Sequence, residues 1–235
     1  LSFAFCVLFF TNNSYCAEPL TANTTEGSNT FNWSYSLNDN NEVVDLKCTN
    51  VSAISGNITI PGTIDGKSVV SINSHAFENC NGITGVVIPE TVKGIGSDAF
   101  KNCTSLTNVD LGKITSIGAT AFQGCTELTK ITIPQTLKTA NGLYPVFNGC
   151  TKLTQIEFED GLEVIPSYLC GWTNITSITI PASVKSIQSD AFKNCKKLVN
   201  VNLGNITTIG PHAFQGCEEL QKITIPKTLN STNGI

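Results

Sequence analysis

The 235-residue sequence lacks arginine and methionine and has little charge of either sign. All 14 basic residues are lysine, and the charged fraction is 14%, against about 25% in an average soluble domain. Without arginine there is no bidentate phosphate clamp, and a net charge of −4 repels a polyanion, so the composition argues against nucleic-acid binding. Asparagine, threonine and serine take the place of charge. Since no initiator methionine is present, we expect the sequence to be a piece of a longer protein.

The first ten residues, LSFAFCVLFF, form an apolar run that a polar stretch and Cys16-Ala17 follow. The run is too short to span a bilayer, which needs about 20 residues, but it suits the apolar region of a signal peptide. A buried N-terminal strand is the alternative. We predict a signal peptide over residues 1–16, with its basic region missing, and therefore export to the outside or the surface of the cell. No later segment is apolar enough to predict a transmembrane span.

The segment before the repeats divides into two parts. Residues 17–30 are polar and predict a disordered lead-in. Residues 31–57 predict a β-hairpin cap, because apolar side chains alternate with polar ones on both sides of the turn signal Asn38-Asp39-Asn40-Asn41.

From residue 58 to residue 235 the chain repeats itself. An Ile-Pro landmark, or an equivalent Leu-Gly or Phe-Glu pair, recurs at intervals of 28, 23, 22, 25, 22, 23 and 22 residues. The unit reads Ile-Pro-x-x-Val-x-x-Ile-x-x-x-Ala-Phe-x-x-Cys-x-x-Leu-x-x-Val-x-Leu, and this period with this apolar skeleton indicates a leucine-rich-repeat solenoid. Residues 88–143 also match residues 180–235 at an offset of 92, with 37 identities in 56 pairs.

The repeat stops in mid-unit. By comparison with residues 143–150, we expect the parent protein to continue past Ile235, with an apolar residue near position 239 and a cysteine or aromatic residue near 242.

Each unit predicts a short strand, a turn and one helical turn. Val109 and Leu111 lie two residues apart and so point to one side of a strand, whereas Ser97 is placed to cap a helical turn. A single coil cannot bury these apolar groups alone, so identical coils must stack. The phenylalanines predicted to form one internal column are Phe77, Phe100, Phe122, Phe147, Phe192 and Phe214.

Six cysteines occupy one slot of the unit: Cys80, Cys103, Cys125, Cys150, Cys195 and Cys217. Counting back from Pro181 assigns Trp172 to this slot in the remaining unit. We interpret the column as buried free thiols, because cysteine packs well as a small hydrophobe and the slot also accepts tryptophan. Disulfides are a second interpretation in an exported protein, with Cys48 and Cys170 the preferred pair. The spacing does not favour metal binding.

The unit closely resembles the BspA-like leucine-rich repeat, and the resemblance covers residues 58–235 in seven copies. It implies a right-handed solenoid with a parallel sheet on the concave side and turns or short helical segments on the convex side. It also implies a secreted or surface protein, with family members linked to adhesion. The sequence departs from the pattern at residues 143–147 and 168–172, where we expect bulges or local contacts. No catalytic motif comes with the family.

Individual residues give little support to catalysis or to a cofactor. His75 and His212 both precede Ala-Phe and predict exposed residues on the convex turn. No nucleophile elbow or phosphate loop occurs. Glu157, Glu159, Asp160 and Glu163 predict a charged loop, with a weak cation site as the alternative. Nine N-x-[ST] sequons occur, and we treat their glycosylation as conditional on a eukaryotic source.

The concave sheet is the remaining candidate for a functional surface. Its predicted outward residues are Asn108, Asp110, Lys130, Thr132, Gln155, Glu157, Ser177, Thr179, Asn200, Asn202, Lys222 and Thr224. These side chains are short and polar, so they suit a broad, low-affinity face for a protein or glycan on a host or neighbouring cell, without a metal or cofactor. A merely solvated face is the alternative interpretation. The sequence therefore predicts a non-enzymatic adhesion module. The alternative is a structural stalk that displays another domain.

Overall fold

A computed structural model describes residues 19–230. The predicted signal peptide lies outside the described residues, as do residues 231–235 of the last repeat. Within 19–230 a single 3-10 turn, Val51–Ala53, accompanies twenty strands. These are β1 (Leu20–Glu26), β2 (Asn29–Leu37), β3 (Val43–Cys48), β4 (Gly56–Thr59), β5 (Thr63–Ile64), β6 (Lys67–Ser68), β7 (Ser71–Ile72), β8 (Ile83–Val87), β9 (Gly94–Ile95), β10 (Asn108–Asp110), β11 (Ser116–Gly118), β12 (Lys130–Ile133), β13 (Thr139–Asn141), β14 (Gln155–Phe158), β15 (Val164–Ile165), β16 (Ser177–Thr179), β17 (Ser186–Ile187), β18 (Asn200–Asn202), β19 (Thr208–Ile209) and β20 (Lys222–Thr224).

Each coil contributes one strand to each of two parallel sheets. We call one of them the front sheet. It consists of three hydrogen-bonded groups of strands, β4-β8-β10, β12-β14 and β16-β18-β20. The rear sheet contains β3-β7-β9-β11-β13 and β15-β17-β19. Val109 pairs with Val86 in the front sheet, and Ile117 pairs with Ile95 in the rear sheet, so partners lie one repeat apart in sequence. This register confirms the predicted solenoid.

Three antiparallel strands cap the N-terminal end. β2 and β3 form the expected hairpin, and β3 continues into the rear sheet through the parallel pair Leu46 and Ile72. The prediction of disorder for the polar lead-in is wrong for residues 20–26. That segment forms β1, which pairs with β2 along its whole length from Leu20 to Glu26. Threonine favours strands, and the indole of Trp33 donates a hydrogen bond of 2.7 Å to Thr24, which holds this polar strand in place.

The predicted helical segments of the repeat are turns instead. Asp98 and Asn102 have φ values of 55° and 57°, and left-handed residues four positions apart interrupt a helix. The N–H groups of Asp98, Phe100 and Asn102 then point to the next coil and donate to the carbonyls of Ala119, Ala121 and Gln123 at 2.7–3.1 Å. The turns therefore bond one coil to the next, as the strands do, and Ser97 has no helix to cap.

A stack of phenylalanine rings runs through the interior, in two pieces rather than one. Phe77, Phe100, Phe122 and Phe147 stack with ring centroids 5.1–5.7 Å apart, and Trp33 of the cap packs edge-on against Phe77 at 5.9 Å. Phe192 and Phe214 form a second stack at 5.2 Å. The predicted single column is interrupted because one coil carries no phenylalanine in this slot.

Cys170 fills the phenylalanine slot of that coil, and Thr173 fills its cysteine slot. Thr173 follows Cys170 by three residues, as Cys103 follows Phe100, and it is 2% exposed. The assignment of Trp172 to the cysteine slot is wrong, because this coil is one residue shorter before its Ile-Pro landmark. Trp172 is 37% exposed, and its positive φ matches that of Asn102, in the left-handed slot of the turn.

The column cysteines lie inside the solenoid as thiols. The eight described cysteines are unpaired, including Cys48 and Cys170, and all are buried except the half-buried Cys217. Most column thiols donate to the carbonyl of the phenylalanine in the preceding coil, for example Cys103 to Phe77 at 3.2 Å and Cys150 to Phe122 at 3.0 Å. Burial raises the pKa of Cys80 to about 11 and raises the pKa values of Cys103 and Cys170 further.

The ring stack predicts a large and local stability effect. We expect Phe100→Ala to lower the free energy of unfolding by about 3–5 kcal/mol, because it opens a cavity between Phe77 and Phe122. Urea unfolding followed by circular dichroism measures the change. Tyr144→Ala removes a ring that is 68% exposed and serves as the control, with an expected change below about 0.5 kcal/mol. Equal losses from the two variants would contradict the internal stack.

The burial pattern also predicts an order of thiol reactivity. Among the eight described cysteines, Cys217 is expected to react first with iodoacetamide at pH 8, because the others are buried and the thiolate is the reactive form. Cys103 and Cys170 are expected to react only after unfolding in urea. Peptide mapping by mass spectrometry identifies the labelled sites. Labelling of Cys103 at the rate of Cys217 in the folded protein would show that the column is accessible.

Candidate binding face

The front sheet presents two polar side chains per repeat strand to solvent. In β12 the inward Ile131 and Ile133 alternate with the outward Lys130 and Thr132, and the other repeat strands follow the same alternation. We name the outward residues of β10 to β20 in this sheet the front face. All twelve residues predicted from the sequence are exposed there: Asn108, Asp110, Lys130, Thr132, Gln155, Glu157, Ser177, Thr179, Asn200, Asn202, Lys222 and Thr224.

The charges on this face are few and partly paired. Lys130 and Glu157 lie on neighbouring strands with the ammonium nitrogen 2.7 Å from a carboxylate oxygen. Both side chains are about half exposed, so the pair contributes at most about 1 kcal/mol to stability. Its effect is to neutralise the middle of the face, where hydroxyl and amide groups then dominate.

Two of the predicted residues serve the fold directly. Asp110 accepts a hydrogen bond from the N–H of Gly112 at 2.9 Å, and Asn202 accepts one from the N–H of Gly204 at 3.1 Å. Both glycines have positive φ values and turn the chain out of the strand. These two side chains therefore have less hydrogen-bonding capacity for a ligand than Gln155, Ser177 and Asn200.

The front sheet opens at two junctions. No ladder pairing joins β10 to β12 or β14 to β16 in the described chain. A cavity of about 190 Å³ lies beside the first junction, between Asp110 and Thr132. A larger cavity of about 460 Å³ lies at the second junction, between Gln155 and Ser177. The alternation of apolar and polar residues is as regular in these strands as in the others, so it does not predict the openings.

The histidines lie on the opposite, turn side of the coils. His75 is half exposed, has a positive φ of 58°, and places its Nδ1 atom 2.7 Å from a carboxylate oxygen of Glu78. His212 is exposed with the same φ. These two residues lie in equivalent slots of distant coils, so they form no common site.

The sequence predicted local contacts at residues 168–172, but not their partners in the following coil. Lys193 lies 2.8 Å from Asp190 and 5.7 Å from the ring centre of Trp172. Burial, with the charge of Asp190, raises the pKa of Tyr168. Leu143 and Tyr144 of the preceding coil are 76% and 68% exposed. In the sequence, the feature that indicates this cluster is the presence of aromatic residues at turn positions where other units have Asp or Asn.

Two of the acidic residues near the end of β14 are bound to different neighbours. Glu157 pairs with Lys130, and Glu159 accepts a hydrogen bond from the backbone N–H of Gln135 at 2.9 Å. Between residues 19 and 230 no group of three or more His, Cys, Asp or Glu side chains is arranged to hold a metal ion. No helix in the same range is long and apolar enough to cross a membrane.

Comparison with known families identifies the type of repeat. The sequence profile described as BspA type leucine rich repeat region matches residues 47–169 and 143–234 in six copies. No curated protein gives a significant match.

Solved structures similar to this chain include two bacterial leucine-rich-repeat proteins. One is the Treponema pallidum leucine rich repeat protein TpLRR, at 25% identity and a TM-score of 0.65, with 80% of this chain and 88% of that one covered. The other is a leucine rich cell surface protein from Faecalibacterium prausnitzii, at 27% identity and a TM-score of 0.55, with 86% of this chain and 54% of that one covered. Both likenesses extend over the solenoid and agree with its fold.

Proposed function

Because the chain belongs to the BspA-type leucine-rich-repeat family, we propose that it is an exported, non-enzymatic protein that binds partner proteins at a cell surface through its front face. The family supports a repeat scaffold suited to protein binding. The apolar start LSFAFCVLFF and the likeness to a cell surface protein support export and surface location. Adhesion to a host, matrix or neighbouring cell is the form of binding that we propose.

The observation that carries the proposal is the front face itself. It offers exposed polar side chains on each front-sheet strand from β10 to β20, at the regular spacing of a parallel sheet. Such a surface has many hydrogen-bonding groups and few charges, and it lacks the large aromatic residues that dominate tight interfaces. We therefore expect a broad contact in which many weak interactions add up.

The irregular turns on the other side are a less suitable surface for the main contact. Their exposed residues are used largely to bond neighbouring coils, as in the pair Asn102 and Asn79, whose side chains are 3.0 Å apart. Ion pairs such as Lys152 with Glu127 also connect adjacent coils there. These groups are already satisfied, whereas Gln155, Ser177 and Asn200 form no side-chain hydrogen bonds within residues 19–230.

The proposal predicts that changing charge and bulk on the front face weakens adhesion. The triple variant Lys130→Glu, Gln155→Arg and Asn200→Arg is expected to weaken binding to fibronectin, laminin, collagen and intact epithelial cells by at least about tenfold, a cost of about 1.4 kcal/mol. Surface plasmon resonance and cell-binding assays measure the loss. The matched control, Lys138→Glu, Thr139→Arg and Thr208→Arg, makes the same charge changes at exposed residues of the rear sheet.

Equal binding by the front and rear variants would contradict the proposed face. If the unmodified chain binds no member of the panel, the result contradicts adhesion through this region and favours a structural stalk that displays another domain.

A further inference from the structure

The opening between β14 and β16 gives the front face a cleft of about 460 Å³. β14 pairs with β12 from Gln155 to Phe158, and β16 pairs with β18 from Ser177 to Thr179, but no pairing connects β14 to β16. The rear sheet is also interrupted nearby, between β13 and β15. The coil between these breaks contains the exposed residues Leu143 and Tyr144 and is the longest of the regular coils.

The larger opening coincides with an unusual residue in the repeat. In most coils an isoleucine or leucine precedes the proline or glycine that ends the front strand, as Ile133 does. β14 has Phe158 at this position, in register with Ile133, and the larger ring is only half-buried where Ile133 is fully buried. The half-buried Phe158 ring therefore lines the cleft, at the place where β14 and β16 lose their ladder pairing.

The size of the cleft excludes an added β-strand. Inserting a strand between two others needs them to be about 9.6 Å apart, twice the usual strand spacing of about 4.8 Å. Backbone atoms of β14 and β16 still approach within 8 Å. The cavity of about 460 Å³ falls within the range of small-molecule sites, about 300–1,000 Å³. The cleft therefore suits a compact ligand or one unit of a polymer.

The lining of the cleft selects the chemistry of that ligand. Polar groups come from Gln155, Ser177, Thr179 and Asp160, and apolar surface comes from Phe158 and Pro181. None of these polar side chains has a hydrogen bond or ion pair to residues 19–230. Hydroxyl, amide and carboxylate groups beside an apolar wall match a saccharide ring, which has hydroxyls at its rim and C–H groups on its faces.

The charge of the cleft excludes acidic ligands. No lysine lines the cleft among the described residues; Glu157, which does, holds the ammonium of Lys130 at 2.7 Å, and Asp160 adds a negative charge with no ion pair to the described chain. A phosphate, sulfate or sialic acid group would meet this carboxylate without a compensating cation. The remaining ligand class is uncharged and rich in hydroxyl groups.

We propose that the cleft between β14 and β16 binds a neutral saccharide unit, carried by a glycoprotein or by a free polysaccharide. The inference deepens the proposed function, because the cleft opens on the front face, and it rests on that function for its biological context. The Asp160 carboxylate accepts hydrogen bonds from adjacent hydroxyls, Gln155, Ser177 and Thr179 bind the rim, and the sugar face packs on Phe158 and Pro181.

Saturation-transfer NMR on the full chain tests the saccharide site. The probes are glucose, galactose, mannose, N-acetylglucosamine, lactose, maltose and cellobiose, with sialyllactose and a heparin disaccharide as charged comparators. We expect transfer to at least one neutral sugar, with millimolar affinity, and none to the charged probes. For that sugar, Asp160→Asn is expected to weaken binding about tenfold, because it removes a charged hydrogen-bond acceptor.

A pair of strand variants locates the site. Ser177→Ile fills the cleft and is expected to abolish saturation transfer. Thr208→Ile is the control, because Thr208 is an exposed residue of the rear sheet that pairs with Ser186 across an intact junction, and it is expected to retain binding. Protein NMR spectra that match those of the unmodified chain would confirm that each variant has folded.

Three results overturn the proposal: no transfer to any neutral sugar, preference for a charged probe, or equal effects of Ser177→Ile and Thr208→Ile. Failure of the saccharide site is separable from failure of the proposed function. If the chain binds a protein, loses that binding in the triple front-face variant and binds no sugar, the protein-binding face is retained and the saccharide site is rejected. Binding of glycoproteins that is lost after enzymatic removal of their glycans would support the saccharide on a protein carrier, and binding to a free neutral polysaccharide would support the other source.

Discussion

No coil of this protein can bury its apolar side chains by itself, and every other feature of the structure depends on the contact between neighbouring coils. The Phe100 ring is buried only because Phe77 and Phe122 stack on its two faces. The same register sets the backbone bonds of both sheets and of the turns, and it places the Cys125 thiol against the carbonyl of Phe100 at 3.2 Å. One repeated contact therefore satisfies hydrophobic burial and polar pairing together.

This constraint also explains much of the unusual composition. Threonine hydroxyls in recurring slots donate to carbonyls of the preceding coil: Thr115 to Lys93 and Thr207 to Lys185, at 3.1 and 3.0 Å, are related by the 92-residue duplication. Asparagine and cysteine do the same in other slots. Short polar side chains thus perform inter-coil bonding, and few positions remain for charged residues. Nothing in the structure explains the complete absence of arginine.

The sequence predicted the solenoid, its period, the cap hairpin and the exposure of the twelve front-face residues, because each depends on patterns within one unit. Features that depend on the fit between units were not predictable. The helical turn became a pair of left-handed bends because those bends direct N–H groups to the next coil. β1 formed because a polar segment found a pairing edge on β2. Trp172 was misplaced because one coil is a residue shorter. The two openings of the front sheet depend on how neighbouring coils fit together, and Phe158 lines only the larger of them.

Amide hydrogen exchange tests the stacking of coils, and its interruption at the cleft, most directly. β8 and β18 have hydrogen-bonded strands on both sides, whereas β14 and β16 have one each. We expect peptides that cover β8 and β18 to exchange at least about tenfold more slowly than peptides that cover β14 and β16, since ladder bonds protect amides. Equal protection across all four strands would show that the front sheet is continuous, and would contradict both the opening and the account of coil packing that produces it.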